Sequence, residues 1–101
     1  MNANRKSLED KVALITGGAR RIGACIARTL HHEGMKLVIH YHKSAEAARE
    51  LQAELHHHRP DSVLLVGTDL LDPAKLEKLV SQATAEFGQL DVLVNNASSF
   101  Y

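Results

Sequence analysis

Lys11-Val12-Ala13-Leu14-Ile15 runs directly into Thr16-Gly17-Gly18-Ala19-Arg20-Arg21-Ile22-Gly23, and this junction decides the fold. An apolar, strand-like run gives way to glycines and arginines and then to a helical pattern. Such a turn must bend the backbone sharply, let an anion approach, and start a helix whose first N–H groups face that anion. Gly17 suits the positive-φ turn, and Gly23 lets the helix sit close to the sheet. The spacing is not the Gly-x-Gly-x-x-Gly of the commonest dinucleotide fingerprint, and Arg21 stands where a glycine usually allows close approach. A guanidinium there can fork onto phosphate oxygens and add charge that bare amides lack. The plainer alternative is a helix-start glycine pair with a solvated arginine. The place of the loop, between a buried strand and an amphipathic helix, favours phosphate binding.

Further along, Lys36-Leu37-Val38-Ile39-His40, Val63-Leu64-Leu65-Val66 and Val92-Leu93-Val94 are near-continuous apolar runs. Apolarity without alternation suits strands buried on both faces of a parallel sheet. Helical patterns lie between them. Ile22, Ile26 and Leu30 recur at every fourth position before Gly34, and Ala47, Leu51 and Leu55 do the same before Pro60. The last pattern opens at Asp72-Pro73, a cap followed by proline at the first helical position, and carries Leu76, Leu79, Val80 and Ala83 to Gly88. Strand and helix alternate, and right-handed crossovers turn that order into an α/β, Rossmann-type doubly wound parallel sheet of four strands and three helices. Ligands are expected beyond the carboxyl ends of the strands, near the first. Residues 8–101 are expected to be the N-terminal part of a single nucleotide-binding domain, truncated after the fourth strand and preceded by a disordered polar segment over residues 1–7.

The chain has 101 residues, 45% of them apolar and 24% charged, an ordinary composition for one globular domain. A chain this short buries only about two-thirds of its unfolded surface, so a half-sheet of this size is marginally stable alone. Lysine plus arginine equals aspartate plus glutamate at 12 each. That balance offers no overall field for nucleic acid or an anionic membrane, so any anion site is local. The single cysteine, Cys25, cannot form an internal disulfide, and among Ala24, Ile26 and Ala27 it is expected to be a small buried residue. No stretch approaches the ~20 apolar residues of a membrane span, and Met1 to Ser7 is too polar for a signal peptide. The expected compartment is the cytoplasm. His56, His57 and His58 are consecutive, so on a helix they point about 100° apart and cannot converge on one ion. They are read, with His31 and His32, as solvated helix ends, and no metal site is expected.

The end of the second strand chooses the nucleotide. An NAD site places an acid there to accept from the ribose 2′-hydroxyl. This chain has His40-Tyr41-His42-Lys43-Ser44 instead, with no carboxylate and one permanent cation. Such a cluster suits a 2′-phosphate, each charge-assisted bond contributing about 1.5–3 kcal/mol. The expected cofactor is NADPH, with Tyr41, His42, Lys43 and Ser44 on its 2′-phosphate side and Gly17, Arg21, Ile22 and Gly23 on its diphosphate. Ser44 also stands where it can cap the following helix.

With Thr16-Gly17 to Gly23, Asp69-Leu70 after the third strand and Asn95-Asn96-Ala97 after the fourth, the chain resembles the short-chain dehydrogenase/reductases over nearly its whole length. Most of that family reads Asn-Asn-Ala-Gly after the fourth strand and keeps a glycine in the middle of the phosphate loop. This chain departs at both points, with Ser98 and Arg21. Those departures, with His40 to Ser44 and the run Asn95 to Tyr101, look like the pteridine reductase branch, which reduces biopterins and folates with NADPH.

The resemblance implies that Arg21 touches both cofactor phosphate and pterin, that Ser98 lies between cofactor and substrate, and that Phe100 stacks on the pterin. It implies that Asp69 and Leu70 frame the adenine, that Asn96 and Ala97 line the adenosine side, and that Asn95 ties strands together. It also implies a homotetramer, a pterin or folate substrate, and a catalytic tyrosine and lysine contributed by the remainder of the polypeptide. Neither is matched here: Tyr41 is followed four positions on by Ala45, and Tyr101 is the final residue. No catalytic residue is assigned. Two further readings stay open, a short-chain reductase of another carbonyl substrate and a non-catalytic NADP-binding regulatory module.

Overall fold

A computed structural model describes residues 8–69 and 72–96. Its elements are β1 (Val12–Thr16), α1 (Arg21–His32), β2 (Lys36–Tyr41), α2 (Ala45–His58), β3 (Val63–Gly67), α3 (Pro73–Phe87) and β4 (Val92–Asn95). The strands pair in parallel in the order β3-β2-β1-β4. This is the doubly wound α/β arrangement expected from the sequence, and the chain changes direction across the sheet between β1 and β4.

Side chains on a strand alternate between faces, and β1 is apolar on both. Ala13 and Ile15 join Ala24 and Ala27 of α1, Leu37 and Ile39 of β2, and Leu51 and Leu55 of α2. Val12 and Leu14 meet Val38, Leu79 and Ala83 on the opposite face, under α3. Burial on both faces is why β1 and β2 read as unbroken apolar runs. The outer strands are less covered. Leu93 of β4 is 52% exposed, which corrects the expectation of burial on both faces: it pairs in register with Leu14 but lies outside the cluster that α3 covers.

The helix ends follow local chemistry. Asp72 accepts from the Ala74 amide at 3.0 Å, and Gly88, at φ 78, closes α3 in the left-handed conformation. The α1 stripe only partly follows the expected one: Ile26 and Leu30 are half-buried and pack against the core, but they flank the buried face. Gly23, Ala24, Ala27 and His31 are its buried residues, whereas Ile22 is 71% exposed. At about 100° per residue, a stripe centred on these small residues turns Ile22 and Cys25 to the far side. Cys25 is therefore exposed and not a core residue. On α2 the buried alanine is Ala48, and Ala47 beside it is only half-buried.

His31 also departs from expectation. It is buried, with Nε2 2.7 Å from the Ser62 hydroxyl. That hydroxyl donates its one proton to the Arg59 carbonyl at 2.6 Å, so the imidazole Nε2–H is the donor to Ser62. Arg59 in turn donates to the carbonyls of His31 and Met35, closing the carboxyl end of α1. His56 is half-buried against the backbone of Val63, leaving His57 and His58 as the exposed pair at the end of α2.

Burial, reinforced by the positive charge of Arg59, His58 and His56, lowers the His31 pKa from 6.5 to about 4. The unfolded chain therefore takes up this proton first. The contribution of His31 to stability is complete above pH 6.5 and is lost as pH falls towards 4. Urea unfolding of the purified protein should show up to about 3 kcal/mol less stability at the acid end, and His31→Leu should remove that part of the slope.

Candidate functional site

The carboxyl ends of β1 and β2 open onto a cleft of ≈ 440 Å³, walled by Gly17, Ala19 to Ile22, His40 to Ser44, and Asn96. The sequence leaves β1 at Thr16 and turns at Gly17, whose φ of 63 lies in the left-handed region. The Gly17 amide donates to His40 Nδ1 at 2.9 Å, and its carbonyl accepts from Asn96 Nδ2 at 3.1 Å. The Asn96 amide donates to the Thr16 hydroxyl at 3.0 Å, and that hydroxyl lies 3.1 Å from Asn95 Oδ1. Asn95 thus ties β4 to β1, as expected of it. A Cβ on Gly23 would stand 2.3 Å from the Gly17 carbonyl oxygen and 2.7 Å from Asn96 Nδ2. Only glycine lets α1 begin against this turn.

The start of α1 is left for an anion. Arg20 precedes it in extended conformation, with no side-chain cap and no acid in the first turn. Its first N–H groups have no partner within the helix, and the positive pole of the helix dipole lies there. Arg21 has φ 53, a region that favours glycine. A long cationic side chain is thus held on strained backbone at the mouth of the cleft, a combination that clusters at functional sites.

The second wall follows β2. Tyr41 lies over Gly67, where a Cβ would come within 2.6 Å of its ring. Ser44 takes the N-cap position of α2 but makes no side-chain capping bond, so the capping role is not realised and the hydroxyl lines the cleft. His42 Nε2 stands 3.9 Å from the Asp69 carboxylate. Among the described lining residues none is acidic, and Arg20, Arg21 and Lys43 are permanent cations. A chain with net charge 0 therefore concentrates positive charge where the dipole of α1 adds to it.

A family model described as short chain dehydrogenase matches residues 11–99. The chain belongs to the short-chain dehydrogenase family. It is 41% identical over 107 residues to pteridine reductase 1 of Leishmania tarentolae, covering 89% of this chain and 37% of that protein. It is 41% identical over 90 residues to versicolorin reductase stcU of Emericella nidulans, covering 89% of this chain and 34% of that protein. It is 43% identical over 90 residues to the short chain dehydrogenase/reductase nsrJ of Aspergillus novofumigatus, with the same 89% and 34% coverage. The chain thus spans about a third of the length of these curated relatives.

Short-chain dehydrogenases are oxidoreductases that bind nicotinamide cofactors, and the cleft brings together most of the residues expected to hold one. Gly17, Arg21, Ile22, Tyr41, His42, Lys43, Ser44 and Asn96 line it, and Gly23 packs beneath its turn. Ile22, exposed on α1, is among the residues that line it. Asp69 does not line it and meets its wall through His42. Leu70, Ala97, Ser98 and Phe100 lie outside the described residues. Sequence reasoning missed Arg20, which the basic pair with Arg21 signals, and Gly67, which nothing local signals. It also counted His40 in the His40 to Ser44 cluster that suits a 2′-phosphate. His40 is 3% exposed and turned into the protein, with Nε2 2.8 Å from the Thr68 carbonyl. Among the described residues no helix is long and apolar enough to cross a membrane.

Replacing Arg21 separates strain from charge. Arg21→Gly should leave stability unchanged or raise it by up to about 1 kcal/mol, because the backbone strain is relieved. The same change should weaken nucleotide binding about tenfold through loss of the guanidinium. Thermal melting and fluorescence titration of one preparation read both effects.

Proposed function

We propose that the chain is the N-terminal, cofactor-binding portion of an NADPH-dependent pteridine reductase. The full protein would transfer hydride to 7,8-dihydropterin or dihydrofolate to give the tetrahydro form. The observation that carries the cofactor assignment is the wall beyond β2, where His42, Lys43 and Ser44 line the cleft and, among the described residues, no carboxylate does. A carboxylate there would repel a 2′-phosphate, and this wall offers donors and a cation instead. Gly17, Arg21, Ile22 and Gly23 would hold the diphosphate, Tyr41 to Ser44 the 2′-phosphate, and Asn96 and Asp69 the adenosine side. NADPH supplies the hydride, and these residues bind and orient it without donating a proton.

The pterin assignment is supported by Arg21 in the phosphate loop and by the identity to a pteridine reductase. In this reading Ser98 and Phe100 contact the pterin, with Leu70 and Ala97 on the adenosine side, and the protein is a cytoplasmic homotetramer. The equal identity to versicolorin reductase supports a second reading, a short-chain reductase of another carbonyl substrate.

Two measurements test the proposal. Lys43→Ala should weaken NADPH binding about tenfold and leave NADH binding nearly unchanged, read by titration with each nucleotide. The full-length protein should oxidise NADPH saturably with dihydrobiopterin. Turnover of a ketone with none of the pterin would replace the first reading by the second.

A further inference from the structure

We propose that His40 is a positioning residue that locks the phosphate loop to the segment after β3, and that nucleotide affinity depends on its imidazole being neutral. The proposal rests on the reading of the cleft as the cofactor site, and it concerns how that site is held in shape.

Both ring nitrogens of His40 are committed. Nδ1 accepts from the Gly17 amide at 2.9 Å, so it carries no proton. Nε2 lies 2.8 Å from the Thr68 carbonyl, which can only accept, so the ring proton is there. The tautomer is therefore fixed by its two partners. The backbone carbonyl of His40 also accepts from the Gly18 amide at 3.1 Å. The first two amides after β1 are thus held by one residue of β2, while Asn96 holds the Gly17 carbonyl from the other side. These contacts set the turn from which α1 starts, and with it the direction of the N–H groups offered to an anion.

Protonation would place a second N–H at Nδ1, facing the Gly17 N–H. Two donors cannot bond each other, and the loop would lose its Gly17 tether while keeping those of Gly18 and Asn96. Burial lowers the His40 pKa most strongly, the Thr68 carbonyl raises it, His42 lowers it and Asp69 raises it. The net direction is downward, which favours the neutral ring that its two partners already require. His42, Lys43 and Arg21 also line the cleft, so a comparison that holds every other charged group constant is needed.

His40→Asn provides it. The asparagine Oδ1 can replace Nδ1 as acceptor for Gly17 but does not titrate and cannot reach Thr68. In the nucleotide-free protein, two-bond proton–nitrogen spectra of the imidazole and exchange of the Gly17 amide are followed between about pH 5 and pH 8. NADPH affinity is then measured over the same range for the wild type, His40→Asn and His40→Leu.

The expected result is an Nε2–H imidazole that resists protonation at the ordinary histidine pKa, with a protected Gly17 amide. The ratio of wild-type to His40→Asn affinity should fall in step with whatever Nδ1 protonation the spectra report. His40→Leu should bind about three- to tenfold more weakly than His40→Asn where both are folded. An imidazole that titrates as if exposed, an unprotected Gly17 amide, or a leucine variant that binds as tightly as the asparagine variant overturns the proposal. Loss of folding in His40→Leu leaves the asparagine comparison to decide. A wild-type protein with the expected imidazole and amide signals that fails to bind NADPH overturns the cofactor assignment and leaves the tether standing.

Discussion

The contact on which this structure depends is the approach of the first turn of α1 to the turn that follows β1. A Cβ at Gly23 would lie 2.3 Å from the carbonyl oxygen of Gly17, a separation that no side chain can occupy. Backbone faces backbone there, so no rotamer change relieves a substituent. Because α1 can begin so close to the sheet, the first two turns of its packing face are built from Gly23, Ala24 and Ala27, and a larger buried group, His31, comes only at its far end. The same closeness aims the helix start across the carboxyl ends of β1 and β2. Packing and ligand geometry are therefore set by one constraint.

Electrostatics then give that geometry a sign. The chain carries as many acidic as basic side chains, so its overall field is weak. Arg20, Arg21 and Lys43 nevertheless share one cleft with the uncapped pole of α1. Asp72, which could have been spent anywhere, caps α3 instead. Partition of acids away from one helix start and onto another is a local way to build an anion site in a neutral protein.

Much of this was legible in the sequence, for physical reasons that differ by element. The β1 to α1 junction was readable because few residue types permit such a turn, and α3 because the Asp72 cap, Pro73 and the left-handed Gly88 act locally, within one turn of the helix ends. The doubly wound parallel sheet followed from the alternation of strand and helix with right-handed crossovers. The phase of α1 was only partly legible, because a stripe of Ile22, Ile26 and Leu30 looks more hydrophobic than one of glycine and alanine. Close packing reverses that preference. His31 and His40 were unreadable for another reason: histidine serves equally as a solvated cation and as a neutral group with one donor and one acceptor. Only the partners, Ser62 for one and Gly17 with Thr68 for the other, decide between those states. The walls of the cleft were therefore visible from the sequence, whereas the histidines that brace the fold behind them were not.

The connection between α2 and β3 looks like an ordinary surface loop, the kind of segment in which insertions and deletions usually accumulate. Arg59 removes that freedom. Its guanidinium must reach the carbonyls of His31 and Met35 while its own carbonyl receives the Ser62 hydroxyl. A residue added between Arg59 and Ser62 would disengage the end of α1 opposite the cleft, about 18 Å away along a twelve-residue helix. In descendants of this sequence, length variation should therefore be purged from a loop that touches no ligand and should gather elsewhere on the surface.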